Sequence, residues 1–194
     1  MISIAIFASG SGSNAVQIIK HFEGHLNVKI ALVLSNKKEA LVLEKTKQLK
    51  VPNYYCNNSD FKKESHLISL LEKYGIEGII LAGFLQKIPL FLVKKFDGRI
   101  INIHPSLLPK FGGKGMYGIH VHKAVLAAQE KETGITIHYV NEEYDKGEII
   151  FQASCDVYED DTPDAVQQRV QKLEHLNFPI VIEKELSKWE SNQH

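Results

Sequence analysis

Cysteine is scarce in this chain: Cys56 and Cys155 are the only two in 194 residues, and they do not share a C-x-x-C spacing. That excludes a disulfide framework and a cysteine-based zinc site, and it fits a reducing compartment. Neither sign of charge is in excess. Lys+Arg and Asp+Glu each number 23, so no basic surplus points to a nucleic-acid partner and any anionic ligand must be held by local groups. No apolar run approaches the ~20 residues of a membrane span. The run from Ile2 to Ala8 is too short for a signal peptide and has no basic leader. These absences lead us to expect a cytoplasmic protein with no membrane or nucleic-acid partner. What is present, 44% hydrophobic and 24% charged residues, is enough for one sizeable core and predicts a single domain over residues 1–194.

Apolar strands alternate with helical periods through the first hundred residues. Ile2-Ser3-Ile4-Ala5-Ile6-Phe7 reads as a buried strand entering Ser9-Gly10-Ser11-Gly12-Ser13-Asn14, after which Ala15 to Ile19 repeats at helical spacing. Strands over 28–34, 52–55, 78–82 and 100–103 follow. Between them fall helices over 39–49, over 61–74 with Asp60 as its cap, and over 89–96. This alternation predicts an α/β fold, a Rossmann-like and mostly parallel sheet with helices on both faces. Later the pattern changes to two strands over 135–140 and 148–153 joined by a short polar turn, an antiparallel C-terminal strand addition. Thr162 as cap, Pro163 and Asp164 then open a last helix.

Three places carry candidate chemistry. In Gly10-Ser11-Gly12-Ser13-Asn14 the glycines permit a tight turn, and free amides at a helix start can hold a phosphate. The segment half matches a dinucleotide fingerprint, but the second strand ends Leu34-Ser35-Asn36-Lys37 without the acidic residue that would bind a ribose. In Ile101-Asn102-Ile103-His104-Pro105 the alternation of a strand puts Asn102 and His104 on one face, and Pro105 ends the ladder there. An imidazole that moves a proton beside an amide that stabilises an oxyanion suits acyl transfer; the same two residues also suit plain loop capping. The acidic turn Glu142-Glu143-Tyr144-Asp145-Lys146-Gly147 could orient His104 or be only solvated surface. His120 and His122 lie two apart on a helix, off one face and without a third ligand, so no metal is expected.

The ordered set SGSGSN, LAGF at 81–84, INIHPSLLP, GITIHYVNEEYDKGEIIFQ and LEH at 173–175 resembles the folate-dependent formyltransferases over nearly the whole chain. The resemblance is closest to those that formylate glycinamide ribonucleotide. It implies transfer of a formyl group from 10-formyltetrahydrofolate, as co-substrate, to the amino group of that ribonucleotide in purine biosynthesis, by a monomer or homodimer. By matching position it implies Asn102, His104 and Asp145 as catalytic residues. It assigns Gly12, Ser13, Asn14 and Glu174 to the ribonucleotide, and Phe84, Leu85, Gln86, Lys87, Ile88, Asn102, Val140, Asn141, Glu142, Glu143 and Asp145 to the folate. Residues 1–100 would then form the phosphate-binding half and 101–194 the catalytic and folate-binding half.

The alternatives are a formyltetrahydrofolate deformylase, expected to carry a further N-terminal domain, and a formyltransferase with another acceptor, such as one acting on tRNA with a further basic C-terminal domain. Two departures stand out against the family. Gln86-Lys87 occupies a place where an arginine is common, and Lys110 to Ile119 is glycine-rich and longer, with no role assigned to it.

Overall fold

The computed structural model describes residues 1–191. Seven strands, β1 (Ile2–Phe7), β2 (Val28–Ser35), β3 (Asn53–Tyr55), β4 (Gly78–Leu81), β5 (Ile100–His104), β6 (Glu132–Tyr139) and β7 (Ile149–Asp156), form one sheet in the order β3-β2-β1-β4-β5-β6-β7. Pairings among β1 to β5 are parallel, while β5–β6 and β6–β7 are antiparallel. This is the architecture expected from the alternation of strand and helix. Helices α1 (Ser13–His21), α2 (Leu41–Gln48), α3 (Glu64–Lys73), α4 (Leu90–Lys95), α5 (Ile119–Ala127) and α6 (Pro163–Ser191) cover the sheet.

Period-two alternation along β1 sends Ile2, Ile4 and Ile6 to one core and Ala5 and Phe7 to the other. The first core is closed by Ala15 and Ile18 of α1, Val121 and Val125 of α5, and Val166, Val170, Phe178 and Ile182 of α6. The second is closed by Leu67 and Leu71 of α3 and Leu92 of α4. Each fully buried large side chain contributes roughly 1.5–3 kcal/mol, so a strand apolar on both faces is stable only when helices cover both. None of the helices is long and apolar enough to cross a membrane, among the described residues.

Strand order reverses between β1 and β4, and the crevice beyond the C-terminal ends of such strands is where α/β sheets bind ligands. Loops there are tied together. Ser9 N–H donates to the Gly83 carbonyl at 3.1 Å, and Leu85 N–H donates to Ser9 Oγ at 2.9 Å.

Two local expectations are corrected. Asp60 does not cap a helix over 61–74: residues Asp60–Lys62 form a 3-10 turn, and the α-helix begins at Glu64. The capping oxygen is Asn57 Oδ1, which accepts from Ser59 N and Asp60 N at 2.9 Å each, while Asp60 is engaged by Asn57 and Lys63. β6 starts at Glu132 rather than Ile135, because pairing of Glu132 to Gly134 with Asp156 to Ser154 extends it beyond its apolar run. The cap at Thr162 holds, its Oγ1 accepting from Ala165 N at 3.2 Å.

Candidate active site

β5 delivers Asn102 and His104 to the crevice from the same face, and the antiparallel neighbour β6 sets His138 directly opposite Asn102. His138 Nδ1 lies 2.7 Å from the Tyr139 carbonyl, which accepts only, so this nitrogen carries the hydrogen. With that tautomer, Nε2 accepts from Asn102 Nδ2 at 3.0 Å. His104 is held in the same manner. Its Nε2 is 2.8 Å from the Phe111 carbonyl, which leaves Nδ1 facing Asp145 Oδ2 at 3.6 Å.

Asp145 sits in the β6–β7 turn at φ 53, a left-handed conformation that aspartate tolerates. Its Oδ1 lies 3.7 Å from His138 Nε2, and its Oδ2 accepts the Gly113 N–H at 2.8 Å. The two imidazole distances are electrostatic contacts rather than hydrogen bonds. Burial alone would raise the Asp145 carboxyl, but the facing histidines and the Gly113 amide outweigh it and hold the group below the usual carboxylate range. His104 moves down: burial disfavours its cation more than the Asp145 charge favours it. A neutral imidazole therefore faces an ionised carboxylate.

The segment after His104 is fixed by a buried hydroxyl. Thr136 Oγ1 donates to the Ser106 carbonyl at 2.7 Å and accepts from Leu108 N at 2.9 Å and Gln152 Nε2 at 2.8 Å. Gln152 Nε2 also donates to the Leu108 carbonyl at 3.0 Å. Every bonding position of that hydroxyl is used.

On the other side of the crevice, Gly12 precedes α1 at φ 71, and a Cβ there would lie 2.5 Å from a Val42 methyl, so only glycine brings the turn this close to α2. Ser13 and Asn14 follow at the start of the helix. α6 reaches them from the far end of the chain: Gln171 Nε2 donates to Ser13 Oγ at 3.0 Å, and Asn14 Nδ2 to Glu174 Oε2 at 2.8 Å. Burial raises the Glu174 carboxyl, opposed by that amide. Asn14 Oδ1 is buried without a partner.

The Gly12 turn, Asn102, His104, Asp145 and Glu174 all line one cleft of about 690 Å³. Adjoining it, Phe84, Gln86, Lys87, Ile88, Asn102, Val140, Asn141, Glu143 and Asp145 line a small cavity of about 70 Å³ with His138 and Tyr144. Leu85 and Glu142 do not line that cavity; they face a neighbouring groove of about 850 Å³ together with Lys37, Lys62 and Lys87. Tyr144 lines all three spaces, while Leu85 is shared by the groove and the cleft and Phe84 by the cleft and the cavity. Every site residue expected from sequence thus lies on one continuous trough.

Sequence reasoning missed His138, which looks like an ordinary alternating residue of β6. It also missed Gly113 to Gly118 and His122, which line the cleft. His120, by contrast, is exposed and packs edge-on against Tyr117, so the two histidines of α5 part company.

An α/β protein in which an imidazole, an amide and a carboxylate converge on a ligand-sized cleft has the layout of an enzyme of acyl transfer. A formyl transferase family model matches residues 2–182, and the chain belongs to that family. It is 43% identical over 185 residues to the chloroplastic phosphoribosylglycinamide formyltransferase of Arabidopsis thaliana, covering 92% of this chain and 63% of that one. It is 38% identical over 189 residues to the phosphoribosylglycinamide formyltransferase of Bacillus subtilis, covering 94% and 93%. The crystal structure of phosphoribosylglycinamide formyltransferase from Bacillus halodurans superposes with a TM-score of 0.86 at 36% identity, covering 96% of both chains. The chain thus spans under two thirds of the Arabidopsis relative, but nearly the full length of the bacterial ones.

Proposed function

We propose that the chain transfers the formyl group of 10-formyltetrahydrofolate to the amino group of glycinamide ribonucleotide, releasing formylglycinamide ribonucleotide and tetrahydrofolate. The observation that carries this reading is that Asn102 and Asp145 line both the cleft that ends on the Gly12 turn and the small adjoining cavity, with His104 beside them in the cleft. The Bacillus subtilis and Bacillus halodurans relatives, of which it covers more than nine tenths, are named for formyl transfer to phosphoribosylglycinamide.

The cavity residues fit a folate ring: Gln86 Oε1 is buried there without a partner, beside the backbone of Val140 to Asp145, and a ring amide would satisfy it. The co-substrate supplies a formyl carbon already activated for attack.

The remaining steps belong to the chain. Amides of Gly12, Ser13 and Asn14 hold the ribonucleotide phosphate, and Glu174 orients the amine toward the formyl carbon. As nitrogen adds to that carbon, Asn102 Nδ2 has a second hydrogen to give the oxyanion, its first being committed to His138. His104 Nδ1, unprotonated and facing Asp145 at the edge of the cleft, accepts the proton released by the amine and returns it to the leaving folate nitrogen.

Two experiments test this reading. Tetrahydrofolate release should require the ribonucleotide; release without it would instead favour a deformylase. Asn102→Asp should keep the fold and lose about 10²–10³-fold in kcat.

A further inference from the structure

We infer that Lys114 is the cation that receives the phosphate of the ribonucleotide, reaching into the cleft from the glycine-rich segment opposite the Gly12-Ser13-Asn14 amides. The inference rests on the substrate assignment above and adds to it the charge that the amide turn lacks.

The Gly12 turn offers neutral donors only. Its nearest lysine, Lys45, donates its Nζ to the Ser11 carbonyl at 2.8 Å and does not line the cleft. Of the described residues that do line it, Lys114 is the single lysine or arginine, against two carboxylates, Asp145 and Glu174. His104 and His122 supply no compensating charge near neutral pH, since burial holds both down, His122 to about 4. A phosphate dianion would therefore enter a cleft of its own sign unless Lys114 met it.

Lys114 is also free to do so. Lys110 and Lys146 are paired with Glu130 and Glu143 and do not line the cleft, whereas Lys114 has no ion pair among the described residues. Its backbone is placed rather than loose: the preceding Gly113 turns at φ 95 and donates its N–H to Asp145 Oδ2, and Gly115 turns back at φ 90. Two buried polar atoms of cleft-lining residues, Asn14 Oδ1 and His122 Nδ1, have no protein partner, as in a site built for a polar ligand. The tether at Gly113 joins the phosphate lysine to the carboxylate that faces both histidines, so ribonucleotide binding and proton transfer share one loop.

Steady-state kinetics of the full chain with glycinamide ribonucleotide and with its phosphate-free riboside provide the test. In Lys114→Met the KM for the ribonucleotide should rise about 10- to 100-fold, the loss expected for a hydrogen bond to a charged group. The KM for the riboside and for 10-formyltetrahydrofolate should move far less, and Lys114→Arg should restore most of the ribonucleotide affinity. An unchanged ribonucleotide KM in Lys114→Met, or an equal rise for ribonucleotide and riboside, overturns the assignment while leaving the transferase reading intact. A wild-type protein that does not turn over the ribonucleotide at all takes both down.

Discussion

Asn102 and His138 are cross-strand partners on β5 and β6, and the ladder holds the Asn102 amide nitrogen 3.0 Å from His138 Nε2. Because His138 Nδ1 is committed to the Tyr139 carbonyl, the ring offers Asn102 an acceptor and thereby fixes which end of the amide is nitrogen. An asparagine free to flip would present its oxygen to a developing oxyanion half the time. His138→Phe keeps the ring volume and removes the acceptor. We expect kcat to fall about 10-fold, the worth of one hydrogen bond, with little change in either KM. A lower melting temperature with kcat intact would make His138 a packing residue only.

Asp145→Asn separates charge from shape. The new amide oxygen can still accept the Gly113 N–H, so the loop tether survives. The carboxylate charge, which raises the His104 pKa against the opposing effect of burial, is lost. The sign follows directly: without Asp145 the imidazole binds its proton less tightly, and the acid limb of kcat/KM moves to lower pH. Loss of the proton path should cut kcat by about 10²-fold or more. A pH-rate profile checks both, and an acid limb moved upward would refute the coupling.

The parallel half of the fold is legible in sequence because its signal is local: Ile2 to Phe7 and Gly78 to Leu81 are apolar on both faces, and glycine turns punctuate them. The pair Asn102 and His104 is legible for the same reason, being two apart on one strand before a proline. His138 is not, since its importance comes from a register 36 residues away in sequence that no local period encodes. The Lys110 to Ile119 segment was opaque for a different reason. Its path depends on left-handed residues at Phe111, Gly113, Gly115 and Gly118, which leave no repeating pattern of burial. Asp60 misled because it has the chemistry of a cap, while the turn that needed capping began one residue earlier than the helix it resembled.

Thr136 ties together three backbone or amide groups around the loop that follows His104. Thr136→Val keeps the shape and deletes the hydroxyl, leaving the Ser106 carbonyl and Leu108 N–H buried without their partner and Gln152 with one donor unused. At roughly 1–3 kcal/mol for each buried polar group left unsatisfied, we expect a loss of about 2–4 kcal/mol. Urea denaturation measures it; a loss below about 0.5 kcal/mol would mean that the loop re-forms its bonds elsewhere.

His122 makes stability depend on acid. Burial, aided by the charge of nearby His104, lowers its pKa from 6.5 to about 4 in the folded chain. Between those values the unfolded chain binds the proton and the folded chain does not, so acid favours unfolding. Stability present above pH 6.5 is lost as pH falls toward 4, by about 3 kcal/mol from this one ring. His104, shifted in the same direction, adds to the slope. His122→Leu removes the titrating group without opening a large cavity and also removes a buried Nδ1 that has no partner. The variant should match or exceed the wild type at pH 7 and lose less stability on acidification. Urea midpoints taken at intervals from pH 7.5 to 4 would show a shallower curve, and parallel curves for the two proteins would mean that His122 takes up its proton in the folded chain as readily as in the unfolded one.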